Sequence, residues 1–347
     1  MSVPSKPAPI PVPARLLLRA PNWLGDAVMT LPAVRALKRT HPDVELSVAA
    51  PAALAPLWAA CPFVDRVIPL AHPRRYSSTV PTLRRERFTM AVLFPNSFRS
   101  AFEARRAGIG KLVAFDTPLR NLLVSHRVPR RSFDPARLHQ SYDYLHLVTA
   151  LGAPDAPDLE EGEPIEGGLL RIAQTADLSS PAEPPAIVIC PGAAYGPAKR
   201  WPAARFAEVG RALAKKHGAT VIVMGAGGDA PAAAEVAAAI PGARDLAGKT
   251  DLGAFMATIA RARLVITNDS GAMHLAAAFG TPGVAVFGST EPRLTGPIDP
   301  CVRVERFHVP CSPCFLRECP LDFACMERVT PAAVLASCEA ALAEAAV

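Results

Sequence analysis

The 347 residues contain no stretch that approaches the roughly 18 to 20 consecutive apolar residues of a membrane-spanning helix. The first thirteen residues, MSVPSKPAPIPVP, hold five prolines and no apolar core of the kind found in a secretory signal peptide. We therefore expect a cytoplasmic protein with a disordered, Pro-rich lead over residues 1–13.

Three nucleotide-binding patterns are also missing. The Walker pattern GxxxxGK[ST] is absent, which argues against a P-loop ATPase, and no GxGxxG follows the first predicted strand, which argues against a Rossmann dehydrogenase. No Asp-x-Asp pair occurs, so the sequence lacks the usual carboxylate clamp for a divalent cation on a sugar nucleotide.

The net charge of +6 is unevenly distributed. Residues 66–137 hold 15 basic and 4 acidic residues, whereas residues 181–347 hold 15 of each. A local excess of this kind favours a polyanionic partner: nucleic acid, an anionic membrane surface or a phosphorylated substrate. The alternative is a solvated basic face that serves solubility.

Short β-branched runs alternate with alanine-rich helical patterns, which predicts an α/β fold with parallel sheets. Two series of strands, separated by Pro-rich segments at 153–166 and 178–185, predict two doubly wound, Rossmann-like domains facing across a cleft. The predicted domains are 14–177 and 178–330, followed by a C-terminal helix at 331–347. The predicted strands are 14–20, 45–50, 66–70, 90–95, 111–115, 186–192, 220–229, 263–271 and 283–290. The predicted helices include 30–40, 52–60, 203–217 and 230–239.

The most informative motif is VITNDSGAMHLAAAFG, in which a buried strand runs directly into a helix. The unpaired N–H groups of the first helical turn and the helix dipole form an anion site, and Gly271 allows close approach of a phosphate. Asp269, Ser270 and His274 are the other candidate residues. The alternative is that Asp269 or Ser270 is only the helix N-cap.

Two further strand ends carry candidate residues. CPGAAYGPAKRWP supplies Lys199 as a point charge for phosphate, and MGAGGDA supplies Asp229, placed where an acid could hold ribose hydroxyls. The alternative for Lys199 is an exposed loop cation. Together the three strand ends predict a nucleotide diphosphate site that works without a metal ion.

The first predicted strand is followed by NWLGDAV, with a glycine and a carboxylate at the turn. One interpretation is that Gly25 makes the turn and Asp26 caps the next helix. The other is that Asp26 serves as a general base, with Gly25 leaving room for the approaching substrate.

These motifs, with LFPNSFRSA and AVFGSTEP, resemble glycosyltransferase family 9, the ADP-heptose:lipopolysaccharide heptosyltransferases, over residues 14–342. The heptosyltransferase II branch is the most similar, since Ala194 and Tyr195 stand where the I branch has hydroxyl residues. The resemblance implies a GT-B fold and inverting transfer without a required cofactor. It also implies that Asp26 is the base and that Lys199, Asp269, Ser270, Gly271 and His274 bind the donor, whereas Asp229 matches only roughly.

The resemblance gives the basic N-terminal half a partner. The implied acceptor is the lipopolysaccharide inner core, with Kdo carboxylates and lipid A phosphates, and the second heptose would go onto heptosyl-Kdo2-lipid A. Asn96, Ser97, Arg99 and Arg120 are the predicted acceptor contacts. We expect a peripheral location at the cytoplasmic face of the inner membrane, and no nucleic acid partner. The alternatives are a GT-B transferase for another nucleotide sugar, a sugar-nucleotide epimerase, or a non-catalytic nucleotide-sugar-binding protein.

A cysteine-rich segment, residues 311–325, holds Cys311, Cys314, Cys319 and Cys325 in a C-x2-C-x4-C-x5-C pattern. In a cytoplasmic protein such spacing indicates metal binding before disulfides, so structural zinc or an iron–sulfur cluster is one interpretation. Free or redox-labile thiols and disulfides are the alternatives, because the spacing fits no standard zinc knuckle.

Overall fold

The structure, a computed structural model of the chain, describes residues 8–71, 76–131, 139–154, 169–171 and 186–345. It divides into two compact units, Met1–Glu163 and Pro164–Val347. The predicted linker segments and the predicted boundary at 177/178 lie outside the described residues, apart from residues 153 and 154.

The described part of the first unit contains one six-stranded parallel sheet in the order β3-β2-β1-β4-β5-β6. Its elements are β1 (Arg15–Arg19), α1 (Leu24–Met29), α2 (Leu31–Thr40), β2 (Glu45–Pro51), α3 (Ala55–Ala59), β3 (Arg66–Leu70), α4 (Tyr76–Glu86), β4 (Met90–Leu93), α5 (Phe98–Arg106), β5 (Lys111–Phe115), β6 (His126–Val128) and α6 (Gln140–Thr149).

The described part of the second unit contains another six-stranded parallel sheet, in the order β12-β11-β10-β7-β8-β9. Its elements are β7 (Ile187–Cys190), α7 (Ala203–His217), β8 (Val221–Val223), α8 (Ala230–Ala238), β9 (Arg244–Asp245), α9 (Leu252–Arg261), β10 (Leu264–Asn268), α10 (Gly271–Phe279), β11 (Gly283–Phe287), α11 (Pro292–Thr295), β12 (Val302–Arg306), α12 (Ala324–Glu327) and α13 (Pro331–Glu344).

The two sheets are wound in the same way. In each, the chain starts in the middle of the sheet, adds two strands on one side, and then crosses over to add three on the other. This is the doubly wound order of Rossmann-like domains, and it confirms the predicted α/β class. The direction of winding changes between β1 and β4 and between β7 and β10, and ligands bind such sheets outside the carboxyl ends of the strands at these switch points.

The central strands are apolar on both faces because helices cover both sides of each sheet. β10 and β11 are buried along their whole length. Helices begin and end at capping residues: Ser97 and Ser270 accept a backbone N–H at the starts of α5 and α10. Gly280 ends α10 with a φ of 74°, a left-handed conformation that glycine adopts without strain.

The structure adds three outer strands, β6, β9 and β12, to the nine that the sequence predicts. The predicted strand 220–229 ends at Val223, and residues 227–229 form a short 3-10 turn instead.

At the N-terminus, the Ile10 amide already donates to the Ala150 carbonyl at 2.8 Å, so the chain is fixed to the first unit before the predicted start at residue 14. None of the helices within the described ranges combines the length and apolar character that a bilayer crossing needs.

Candidate active site

Three strand ends of the second unit converge on one carboxylate oxygen. Lys199, in the short 3-10 turn Pro197–Lys199 after β7, places its Nζ 2.5 Å from Oδ2 of Asp269, which follows β10. The Thr290 hydroxyl, beyond β11, donates to the same oxygen at 2.5 Å. The side chains of Lys199 and Asp269 are only 12% and 5% exposed, so Lys199 is not the exposed loop cation of the alternative interpretation.

Asn268 fastens the loop after β7 to the end of β10, a role that the sequence does not predict. Its Nδ2 donates to the Pro191 carbonyl at 2.7 Å, and the Trp201 amide donates to its Oδ1 at 3.0 Å. Both ends of the loop that carries Lys199 are therefore held by one buried side chain. The sequence feature that could have indicated this role is a polar amide side chain at the end of a buried strand, next to Asp269.

The N-terminus of α10 lies at the switch point between β7 and β10. Ser270 is its N-cap: the Ser270 hydroxyl accepts from the Ala272 amide at 3.3 Å and lies 3.0 Å from the Thr267 hydroxyl. The cap uses one N–H of the first turn, and the positive end of the helix dipole remains directed at the carboxyl edge of the sheet. Gly271 begins this helix, and His274 is buried one turn further along.

Asp229 packs its carboxylate against backbone at the ends of β7 and β8. It accepts from the Ala226 amide at 3.0 Å and lies 3.9 Å from the Arg200 guanidinium. A Cβ at Gly192 would collide with this carboxylate, and a Cβ at Gly225 would crowd the Asp229 Cβ, so Asp229 would have to shift if either glycine were replaced. These contacts brace the loops after β7 and β8; the predicted contact of Asp229 with a ribose remains a prediction.

In the first unit, Asp26 lies in the first turn of α1, directly after β1. The N-cap position of this helix is occupied by Trp23, which makes no side-chain capping bond. Burial raises the pKa of the Tyr144 phenol, and the negative charge of Asp26 raises it further, so the two side chains are electrostatic neighbours. The Asp26 carboxylate is partly buried at the switch point of the first sheet.

Arg19, the last residue of β1, positions the loop that leads to Asp26, and sequence reasoning missed it. Its guanidinium donates to the Ala20 carbonyl at 2.6 Å and to Asn22 Oδ1 at 3.3 Å. Burial lowers the pKa of Arg19, and the charge of Glu103 partly opposes that shift. Glu103 is itself buried, and burial raises its pKa against the charges of Arg19 and Arg99.

Three of the predicted acceptor contacts lie together and are exposed at the start of α5: Asn96, Ser97 and Arg99. The position of Arg120 disagrees with its predicted role as an acceptor contact. Arg120 is 1% exposed, and its guanidinium donates to the carbonyls of Pro95 and Phe115. Arg120 therefore links the loop after β4 to the end of β5 and is not available to an anion at the surface.

The cysteine-rich segment, residues 311–325, shows a gradient of exposure from Cys311, which is exposed, to Cys325, which is buried. Burial raises the pKa of the Cys325 thiol, and the charges of Cys311, Cys314 and Cys319 add to that shift. Within the described ranges no three His, Cys, Asp or Glu side chains are arranged to hold a metal ion. These four thiols are free cysteines in this structure.

Two doubly wound units of the same strand order are the architecture of glycosyltransferases of the GT-B class. Residues 77–324 match the sequence model of glycosyltransferase family 9 (heptosyltransferase). The chain therefore belongs to glycosyltransferase family 9, as the motifs predicted, and is an enzyme.

Individual relatives support the same conclusion. The chain is 33% identical over 316 residues to lipopolysaccharide heptosyltransferase 2 of Salmonella typhimurium, covering 84% of this chain and 88% of that protein. It is 34% identical over 310 residues to the Escherichia coli K12 protein of the same name, with the same coverage of 84% and 88%. The structure resembles that of E. coli ADP-heptose LPS heptosyltransferase II with a TM-score of 0.79 and 31% identity, covering 96% of this chain and 100% of that one.

Proposed function

We propose that this protein transfers a heptose from ADP-heptose to the inner core of lipopolysaccharide, as a heptosyltransferase of the II branch. The observation that carries the proposal is the convergence of Lys199, Asp269 and the N-terminus of α10 at one switch point. Relatives named lipopolysaccharide heptosyltransferase 2 cover most of the chain and support the branch. An E. coli heptosyltransferase solved with ADP shares the fold, at a TM-score of 0.75 and 20% identity.

The donor diphosphate binds at the positive end of α10, next to Lys199. Backbone N–H groups and a dipole at a helix N-terminus favour an anion, and they stabilise the negative charge that grows on the departing diphosphate. Asp269, Ser270, Gly271 and His274 belong to this donor site, and Asp229 contributes from the end of β8. No step of this chemistry requires a metal ion or another cofactor.

Asp26 acts as the general base. In an inverting transfer, an acceptor hydroxyl attacks the anomeric carbon while ADP leaves from the opposite face of the sugar. A carboxylate that takes the hydroxyl proton as the new bond forms contributes about 10²- to 10⁴-fold to the rate. The loop before Asp26 is held by the buried Arg19, which keeps the carboxylate in one position relative to β1.

The acceptor is heptosyl-Kdo2-lipid A, so the product carries the second heptose. The exposed Asn96, Ser97 and Arg99 contact its anionic groups, and the basic stretch 66–137 attracts the acceptor. The protein works in the cytoplasm, associated peripherally with the inner membrane where this acceptor is embedded. Electrostatic attraction to anionic headgroups is sufficient for such a reversible association.

The proposal is tested by assaying transfer from ADP-heptose to acceptors that carry zero, one or two heptoses, with other nucleotide sugars as competing donors. We expect product only with the one-heptose acceptor and only from ADP-heptose. Efficient transfer from another nucleotide sugar would support the alternative GT-B activity, and binding of ADP-heptose without transfer to any acceptor would support a non-catalytic protein.

The base is tested by Asp26→Asn, with Asp143→Asn as the matched control. Both acids lie in the first turn of a helix of the first unit, α1 and α6 respectively. We expect Asp26→Asn to lower kcat by at least about 10²-fold while ADP binding persists, and Asp143→Asn to leave kcat near the wild-type value. Near-wild-type kcat in Asp26→Asn would contradict the assignment.

A further inference from the structure

The cysteine-rich segment lies across the carboxyl edge of the second sheet. After β12, the Ser312 hydroxyl donates to the Gly288 carbonyl at 2.5 Å, and the Phe315 amide donates to the Ser289 carbonyl at 2.8 Å. The Ala198 amide then donates to the Arg317 carbonyl at 3.0 Å. The segment is therefore bonded first to the loop after β11 and then to the loop after β7.

This path takes the segment past the donor site. β10 lies between β11 and β7 in the sheet, and the segment is bonded to the loops that follow both of these strands. The bonded loop after β7 carries Lys199, whose Nζ contacts Asp269 at the end of β10. The contact with the β7 loop is close, because a Cβ at Gly196 would collide with the Arg317 carbonyl. The Tyr195 hydroxyl adds a third bond by donating to the Phe315 carbonyl at 2.8 Å.

Two cations contact the Tyr195 ring. The Lys199 Nζ lies 4.8 Å from the centre of this ring, and the Arg317 guanidinium carbon lies 5.1 Å from it. Cations within about 6 Å of a ring centre are attracted by its negative face. The Tyr195 ring is therefore a shared contact of Arg317 and of the lysine in the candidate donor site.

The charges at this site differ in what neutralises them. Lys199 is paired with Asp269 at 2.5 Å, and Arg200 lies 3.9 Å from Asp229. Arg317 is exposed and forms no ion pair with any residue that the structure describes. A lysine that is paired with Asp269 adds little net positive charge, whereas a diphosphate carries more than one negative charge. Of these three cations, Arg317 is the one whose charge no carboxylate at the site neutralises.

We propose that Arg317, supplied by the cysteine-rich segment, binds the diphosphate of the nucleotide-sugar donor. This inference rests on the proposed function, because it assumes that a nucleoside diphosphate occupies the site. It assigns the segment a part in donor binding: its bonds to the loops after β7 and β11 hold the Arg317 backbone, and Tyr195 holds its guanidinium.

The experiment measures the Kd values of ADP and adenosine by calorimetry for wild type, Arg317→Ala, Arg317→Lys and Arg328→Ala. Arg328 is the matched control, since it is an exposed arginine 5.6 Å from the centre of the Phe307 ring. Loss of a hydrogen-bonded charge predicts a roughly 10- to 100-fold higher Kd for ADP in Arg317→Ala. The Kd of adenosine stays within about twofold of wild type, and Arg317→Lys recovers part of the ADP affinity.

Gly196→Ala provides a second variant that keeps the arginine and displaces its backbone. We expect it to weaken ADP binding with little effect on adenosine, as Arg317→Ala does. An unchanged ADP Kd in Arg317→Ala would overturn the inference while leaving the proposed function intact. Equal loss of ADP and adenosine affinity would also overturn it, because Arg317 would then act only through the fold. If wild type binds no ADP, the proposed function itself fails.

Discussion

Lys199 and Asp269 form a nearly buried ion pair in which Nζ and Oδ2 are 2.5 Å apart. The two residues are 70 positions apart in the chain and reach each other because β7 and β10 are neighbours in the sheet. The Thr290 hydroxyl donates to the same carboxylate oxygen. Each charge has lost most of its contact with water, so each depends on the other for its stabilisation. The pair thus links the loop after β7 to the end of β10, and removal of either charge would leave the other buried and unpaired.

The first prediction follows from this dependence. Asp269→Asn leaves the Lys199 ammonium without a counter-charge, and breaking a buried pair in this way costs about 3 to 5 kcal/mol of unfolding free energy. Urea unfolding of the two proteins measures the difference. The control is Glu344→Gln, which removes the exposed partner of Arg303 and should leave the unfolding curve nearly unchanged. Equal effects of the two substitutions would contradict the prediction.

The second prediction distinguishes Arg99 from Arg120, which the sequence predicts to have the same role as acceptor contacts. Arg99 is exposed, and Arg99→Ala should raise the KM for the acceptor far more than the KM for the donor. Arg120 is buried, and Arg120→Leu leaves the carbonyls of Pro95 and Phe115 without their donor, at a cost of roughly 1 to 3 kcal/mol for each buried group. Steady-state kinetics of both variants gives the KM values for the acceptor and for the donor, and urea unfolding gives their free energies of unfolding.

Each arginine serves as the control for the other. Arg99→Ala should unfold like wild type, because an exposed side chain at the start of α5 contributes little to stability. Equal increases of both KM values in Arg99→Ala would remove Arg99 from the acceptor site. A fully stable Arg120→Leu would show that Arg120 does not hold the loop after β4 in place.

The third prediction concerns pH and Glu103. Burial raises the pKa of this carboxyl above its ordinary value, against the opposing charges of Arg19 and Arg99. The folded state therefore binds this proton more tightly than the unfolded state does. The corresponding stabilisation is fully present below the unfolded pKa and is lost as the pH rises through the folded pKa.

Glu103→Gln removes this titration and provides the comparison. From about pH 4.5 upward, wild type should lose stability relative to Glu103→Gln, and the difference should level off once the folded carboxyl is ionised. Urea unfolding of both proteins at several pH values between 4 and 8 measures this. Parallel stability curves would contradict the prediction, as would a relative gain of wild-type stability with rising pH.

Much of the fold could be predicted from the sequence because the buried strands of a parallel sheet are short apolar runs. β10 and β11 belong to this class, and both were predicted. β9 is two residues long, Arg244 and Asp245, and β6 begins with His126-Arg127. Such outer strands are defined by backbone hydrogen bonds to a neighbour that is distant in sequence, and their composition carries no signal.

The sequence predicts which residues lie at the strand ends of the candidate site, but it predicts their contact partners less well. Lys199 and Asp269 were both expected at strand ends, but their pairing depends on strand order. Arg120 was misassigned because composition cannot show whether a guanidinium meets solvent or buried carbonyls. Arg317 was missed for a similar reason: its segment reaches the loop after β7 through backbone bonds, which depend on geometry and not on residue type.

The last prediction concerns the order in which the cysteines react. The thiolate is the nucleophile, so a thiol that is buried and has a raised pKa is slow to alkylate at neutral pH. Cys311 is exposed, whereas burial raises the pKa of Cys325 and of Cys338. In native protein treated with iodoacetamide at pH 7.5, mass spectrometry should find Cys311 modified first, with Cys325 and Cys338 protected until urea unfolds the protein. If Cys311 is also protected until a chelator is added, the thiols of the segment hold a metal ion, and the prediction of free thiols is wrong.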